Sequence, residues 1–76
     1  MRMTFVESSL IQAVGYDPAR RLLEIAFVSG RAYWYADVPS EIYQSLLAAE
    51  SKGEYFLAHI RDVYPYSVPG QARGST

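Results

Sequence analysis

Apolar and polar residues alternate most regularly between Leu22 and Val28. Leu23, Ile25 and Phe27 occupy one parity there, and Leu22, Glu24, Ala26 and Val28 the other. A period of two belongs to a β-strand whose faces meet different surroundings. Upstream, Phe5 to Tyr16 is β-leaning, with Leu10, Ile11, Val14 and Tyr16 interrupted by Ser8, Ser9 and Gln12. A strand is predicted from about Leu10 to Tyr16. Between the two, Asp17-Pro18-Ala19-Arg20 reads as a type I turn: the Asp side chain bonds the backbone ahead of it and Pro presets φ at the second position. Ser29-Gly30 reverses the chain, and residues 31–36 return as a third strand, giving an antiparallel meander.

The reversal at Gly30 decides which aromatic residues meet the core. A two-residue loop, Ser29-Gly30, would set Ile25 opposite Trp34 and bury the indole. A three-residue loop, Val28-Ser29-Gly30, sets Phe27 opposite Arg31, Ile25 opposite Tyr33 and Leu23 opposite Tyr35. Gly in third place suits the left-handed residue of the longer loop, whereas the shorter one prefers Asn or Asp first. One residue of register turns every side chain over. The three-residue loop is therefore favoured, with Tyr33 and Tyr35 inward and Trp34 pointing away.

Beyond the strands the period changes. Pro39 suits the first position of a helix, where its missing N–H is no loss. Ile42, Tyr43, Leu46 and Leu47 form a stripe that can lie on a sheet, and Ala48-Ala49-Glu50 carry the helix to a break at Ser51. Ser51-Lys52-Gly53-Glu54 then matches a capping box that starts a second helix. Phe56, Ile60 and Val63 are spaced for one buried face of it, and Pro65 is its stop. The fold class predicted is α+β, a three-stranded antiparallel meander followed by two α-helices packed on one face, in the order β-β-β-α-α. Residues 5–66 make the domain, and residues 67–76, small, polar and Gly/Pro-containing, are expected to be a disordered tail.

Composition narrows the functional classes. At 76 residues the chain is one domain with a small core, which seven tyrosines help to fill. It has no cysteine and one histidine, which excludes disulfides, thiolate metal sites and a multi-histidine metal site; no metal and no cofactor are expected. A net charge of −1 argues against a strongly basic nucleic-acid binder, although local clusters can still hold phosphate. The N-terminus lacks the apolar run of a signal peptide, and nowhere do about 18 apolar residues run together. A soluble, cytoplasmic protein without a membrane partner is expected.

Read together, several of these segments carry a resemblance. Val14-Gly15-Tyr16-Asp17, the Leu23/Ile25/Phe27 alternation, Ser29-Gly30, Tyr33-Trp34-Tyr35 and Asp37-Val38-Pro39 come in this order. Ala49-Glu50-Ser51-Lys52-Gly53-Glu54-Tyr55-Phe56, Ile60-Arg61 and Tyr64 complete the pattern. Over roughly Glu7 to Tyr66 the chain resembles the KTSC family, short domains found at the C-terminus of some lysyl-tRNA synthetases and as stand-alone bacterial proteins. The central Tyr-x-Tyr is the family's hallmark. The synthetase association suggests RNA binding, and no set of catalytic residues comes with the family.

The candidate sites follow. Trp34, if exposed, is the best stacking platform for a base; its competing role is packing beneath the N-terminal segment or the tail. Arg31 leads into the aromatic strand and can reach phosphate, with Arg20 and Arg21 at the opposite turn; three arginines over two turns are more often solvated loop charges. Tyr33, Tyr35 and Tyr16 are structural support or secondary contacts. Ser51-Lys52-Gly53 at a helix start resembles an anion site, but Glu54 already supplies negative charge and the capping box occupies the donors. His59, near Arg61 and Asp62, has no nucleophile at recognisable spacing. The reading is a non-catalytic module that binds RNA or single-stranded nucleic acid. The alternative is a protein-interaction domain whose apolar sheet face docks a protein partner.

Overall fold

The two turns of the first hairpins form as their sequences dictate. In the computed structural model, which describes residues 2–69, the Asp17 carboxylate accepts the N–H groups of Ala19 and Arg20 at 3.0 and 3.3 Å. Gly30 takes φ +100°, its N–H donates to the Phe27 carbonyl, and the Phe27 N–H donates to the Arg31 carbonyl. Leu23 therefore faces Tyr35, Glu24 faces Trp34 and Ile25 faces Tyr33, the register of the three-residue loop.

The sheet has five strands rather than three. β1 (Met3–Phe5), β2 (Ile11–Asp17), β3 (Leu22–Phe27), β4 (Ala32–Tyr35) and β5 (Tyr66–Ser67) lie side by side in sequence order, every pair antiparallel. The meander expected from the periodicity is its centre. The edges went unpredicted because they are too short to show a period: β1 has three residues and β5 two. Both take their conformation from the strand beside them. β1 begins before the expected domain start. Ser67, placed in the expected tail, pairs with Trp34; residues 70–76 lie outside the described residues.

A bulge explains why β2, found where a strand was predicted, shows no regular alternation. Ile11 faces Phe27 and Ala13 faces Ala26, so Gln12 is an extra residue in the ladder. Ile11, Val14 and Tyr16 consequently share the inner face although Ile11 and Val14 stand three apart.

α1 (Ser40–Ala48) and α2 (Lys52–His59) cover that inner face. Pro39, with φ −68° and ψ 152°, is the residue before α1 rather than its first turn. Leu46 from α1 and Phe56 and Ile60 from α2 join Ile11, Val14, Leu23, Ile25, Phe27, Tyr35 and Val38 in one buried cluster. Val38 is clamped from both sides: its N–H donates to the Arg21 carbonyl at 2.9 Å, and its carbonyl accepts the Tyr16 hydroxyl at 2.5 Å.

α2 ends six residues before Pro65, which corrects the expected helix length. Ile60 leaves helical geometry, Asp62 adopts φ +65°, and the N–H groups of Val63 and Tyr64 fold back onto the Ile60 carbonyl. Val63 is thereby taken off the buried face and is 58% exposed. The turn aims the chain at β4, where the Pro65 carbonyl accepts the Ala36 N–H at 2.9 Å and β5 pairs. No helix among the described residues is long and apolar enough to cross a membrane.

Candidate functional site

Strand parity and the early end of α2 together build a groove. β4 directs Tyr33 and Tyr35 to the helical side, Phe56 of α2 packs against Tyr35, and β5 sets Tyr66 alongside both tyrosines. The resulting groove, of about 680 Å³, has Phe27, Tyr33, Tyr35 and Phe56 as its floor and walls. Its mouth carries Val28 and Arg31 from the hairpin, Leu57, Arg61 and Asp62 from α2 and the turn after it, and Tyr66 from β5, all of them exposed.

The rings support one another edge to face. Phe56 meets Phe27 at 5.3 Å and Tyr35 at 5.6 Å between centroids, inclined at 68° and 72°. Tyr66 lies tilted against Tyr33 at 5.2 Å and against Tyr35 at 6.0 Å. Such pairs hold their orientation as well as their area. Tyr66 is nonetheless 64% exposed, and Val28 and Leu57 are also large apolar residues open to solvent at this mouth. A cluster of exposed apolar side chains around a concavity is the ordinary signature of a contact site.

Tyr35 is 3% exposed. Its hydroxyl has no hydrogen-bond partner among the described residues, in contrast to that of Tyr16, which is bonded to Val38. Burial pushes the Tyr35 phenol up to about 12, and the neighbouring Tyr33, Tyr66 and Asp62 push the same way against the opposing pull of Arg61. At neutral pH it remains an O–H donor.

The residues expected to act together are divided by the sheet. Arg31, Tyr33 and Tyr35 are in the groove. Trp34 is half-buried on the helix-free face, opposite Glu24 in β3 and Ser67 in β5. Its indole Nε1 is buried without a partner among the described residues. That face also presents Met3 and Phe5 from β1, Ala13 and Gly15 from β2, Ala26 and Ala32. Arg20 and Arg21 sit at the β2–β3 turn, separated from Arg31 by the whole of β3, roughly 20 Å at the strand rise per residue. Arg20 lies 3.8 Å from Asp17, and Arg21 is held at φ +54° with its carbonyl bound to Val38.

Ser51, Lys52 and Gly53 have local contacts of their own. The Ser51 hydroxyl accepts the Glu54 N–H at 3.2 Å, and the Lys52 ammonium turns back to the Ala49 carbonyl at 2.9 Å. A Cβ on Gly53 would meet the Leu10 Cβ at 3.3 Å, so this residue lets α2 approach the segment before β2. His59 lies over Tyr55, with centroids 4.5 Å apart. Among the described residues no three His, Asp or Glu side chains converge as a metal site would require. Sequence reasoning missed Leu57, Arg61, Asp62 and Tyr66 as groove residues. An arginine at a helix end and a tyrosine after Pro65 were the only signals, and neither says which strand it will meet.

The same architecture recurs in known proteins. The crystal structure of a KTSC domain protein from Yersinia pestis superimposes with a TM-score of 0.88 at 36% identity, covering 91% of this chain and 97% of that one. A protein of Tsukamurella paurometabola is 52% identical over 50 residues, covering 66% of this chain and 75% of its own length. A lysine–tRNA ligase of Nostoc is 38% identical over 60 residues, which are 79% of this chain but only 11% of the ligase. The KTSC domain model matches residues 7–64, taking in β2 to β4, both helices and most of the groove. On that extent of match, in sequence and in three dimensions, the chain belongs to the KTSC domain family.

Proposed function

We propose that this domain is a non-catalytic binding module that holds RNA, or another single-stranded nucleic acid, in the groove between β4, β5 and the end of α2. The observation that carries the reading is the grouping of exposed Tyr66 and half-buried Tyr33 with two exposed guanidinium groups, Arg31 and Arg61, around one concavity. A base stacked on an aromatic side chain is worth about 1–3 kcal/mol, and arginine gives charge-assisted bonds to phosphate. The match to a segment of a lysine–tRNA ligase supports RNA as the ligand. With a net charge of −1, attraction is confined to the groove rim and affinity rests on contact more than on steering.

Titration of labelled RNA, single-stranded DNA and tRNA at two salt concentrations tests this. Binding that weakens as salt rises, and that falls several-fold in Arg61→Ala and Tyr66→Ala, is the expected result. Arg20→Ala and Arg21→Ala should leave it unchanged; the opposite pattern would move the site to the Trp34 face. Failure of all three ligands to bind at low salt removes the reading. A second reading, a protein-interaction domain, is favoured by the helix-free face, where Phe5 is 76% exposed beside Met3. An apolar interface of that kind is insensitive to salt.

A further inference from the structure

Resting on the nucleic-acid reading of the groove, we infer that it takes one unstacked nucleotide base first. The base edge lies at the Tyr35 hydroxyl and the flanking phosphates at Arg31 and Arg61. The orientation follows from where each kind of group sits. Tyr35 is the nearly buried phenol of the groove, packed beside Phe27, Tyr33 and Phe56, and its hydroxyl has no hydrogen-bond partner among the described residues. A phenol both donates and accepts, which matches the mixed edge of a base. A phosphate pushed to that depth would lose its hydration among Phe27, Phe56 and Tyr33. Both guanidinium groups stand at the exposed mouth, where phosphates keep their water.

The number of nucleotides follows from the rings and the charges. Tyr33 and Tyr66 touch each other, so no base can be sandwiched between them. The volume of about 680 Å³ is that of a small-ligand cavity and not of a channel. Two arginines neutralise two phosphates, and Asp62 on the same rim repels a third.

Binding of RNA oligomers of one, two, four and eight nucleotides, with a tetramer carrying one base among three abasic sites and a fully abasic tetramer, decides the matter. Affinity should level off at about two nucleotides. The one-base tetramer should bind like the full one, and the fully abasic one at least tenfold more weakly. The slope of log K against log salt should be near −1.4, about −0.7 for each of two phosphates. Tyr35→Phe keeps the ring and removes only the hydroxyl. It should weaken base-containing ligands several-fold, leave the abasic one unaffected and leave the slope alone; Arg31→Ala with Arg61→Ala should flatten the slope. Equal binding of the abasic tetramer by the unaltered protein overturns the inference while leaving the nucleic-acid reading standing. So does affinity that climbs through eight nucleotides with a steeper slope. No binding by any oligomer overturns both.

Discussion

Tyr35 combines two roles that pull on the same side chain. Its ring packs against Phe56 and its hydroxyl opens into the groove, so the phenol is nearly buried without being sealed. Burial disfavours the phenolate and moves the group from the usual 10 to about 12. Because the folded value lies above the unfolded one, the stability tied to this group is fully present below pH 10. It is lost as the pH rises from 10 through 12, at no more than about 1.4 kcal/mol per pH unit. Denaturant midpoints between pH 9 and 12 should therefore fall less steeply for Tyr35→Phe than for the unaltered chain. Identical profiles would mean the phenol titrates as it would in water. Trp34, one residue earlier, has its polar atom buried on the other face without a partner among the described residues. Adjacent aromatic residues thus meet opposite surroundings, and a single residue of register separates the two outcomes.

That register is a property of the hairpin, and Gly30 sets it. Nothing lies within 4 Å of where a Cβ would stand, so the cost of Gly30→Ala is conformational and not steric. At φ +100° an L-residue is disfavoured by about 1–2 kcal/mol. The expected result is a lower denaturant midpoint with an unchanged slope, since the same surface is buried; an unchanged midpoint would show that the loop relaxes freely. The β3–β4 pairing was legible in the sequence because a glycine fixes the loop length and a clean alternation fixes the faces. The start of α2 was legible for a similar reason: Ser51 and Glu54 are a local signal for a local bond, and the Ser51 hydroxyl does cap the Glu54 N–H. Its end was not. Ile60, Arg61 and Asp62 can all continue a helix, and Val63 completes an apolar spacing. What stops α2 is the need of the following residues to reach β4, a tertiary demand that no window of sequence carries.

At the scale of the whole molecule, β5 adds Tyr66 to the mouth of the groove, and because so short a strand has no period of its own, Tyr33 and Tyr35 could be read from the sequence as packed rings or secondary contacts but not as the floor of a groove. β5 is two residues long, yet it occupies the edge of β4, whose four residues, Ala32-Tyr33-Trp34-Tyr35, carry no charge and no proline. Left bare, such an edge offers unpaired backbone groups on a strongly β-forming segment and invites pairing with other chains. The KTSC domain model ends at residue 64, just short of the segment that prevents this. A chain ending at Tyr64 loses the Pro65–Ala36 hydrogen bond, the pairing of Tyr66 and Ser67, and the Tyr66 ring against Tyr33 and Tyr35. In a domain of this size each kcal/mol removed lowers the melting temperature by about 4–8 °C. The chain ending at Tyr64 should melt several degrees below one ending at Pro69 and elute from a sizing column as larger assemblies. Equal melting and elution for the two chains would show that β5 is dispensable and that β4 protects its own edge. The mouth of the groove would then have lost Tyr66 without cost to the fold, and the ligand titration on that shortened chain would report the contribution of Tyr66 to binding alone.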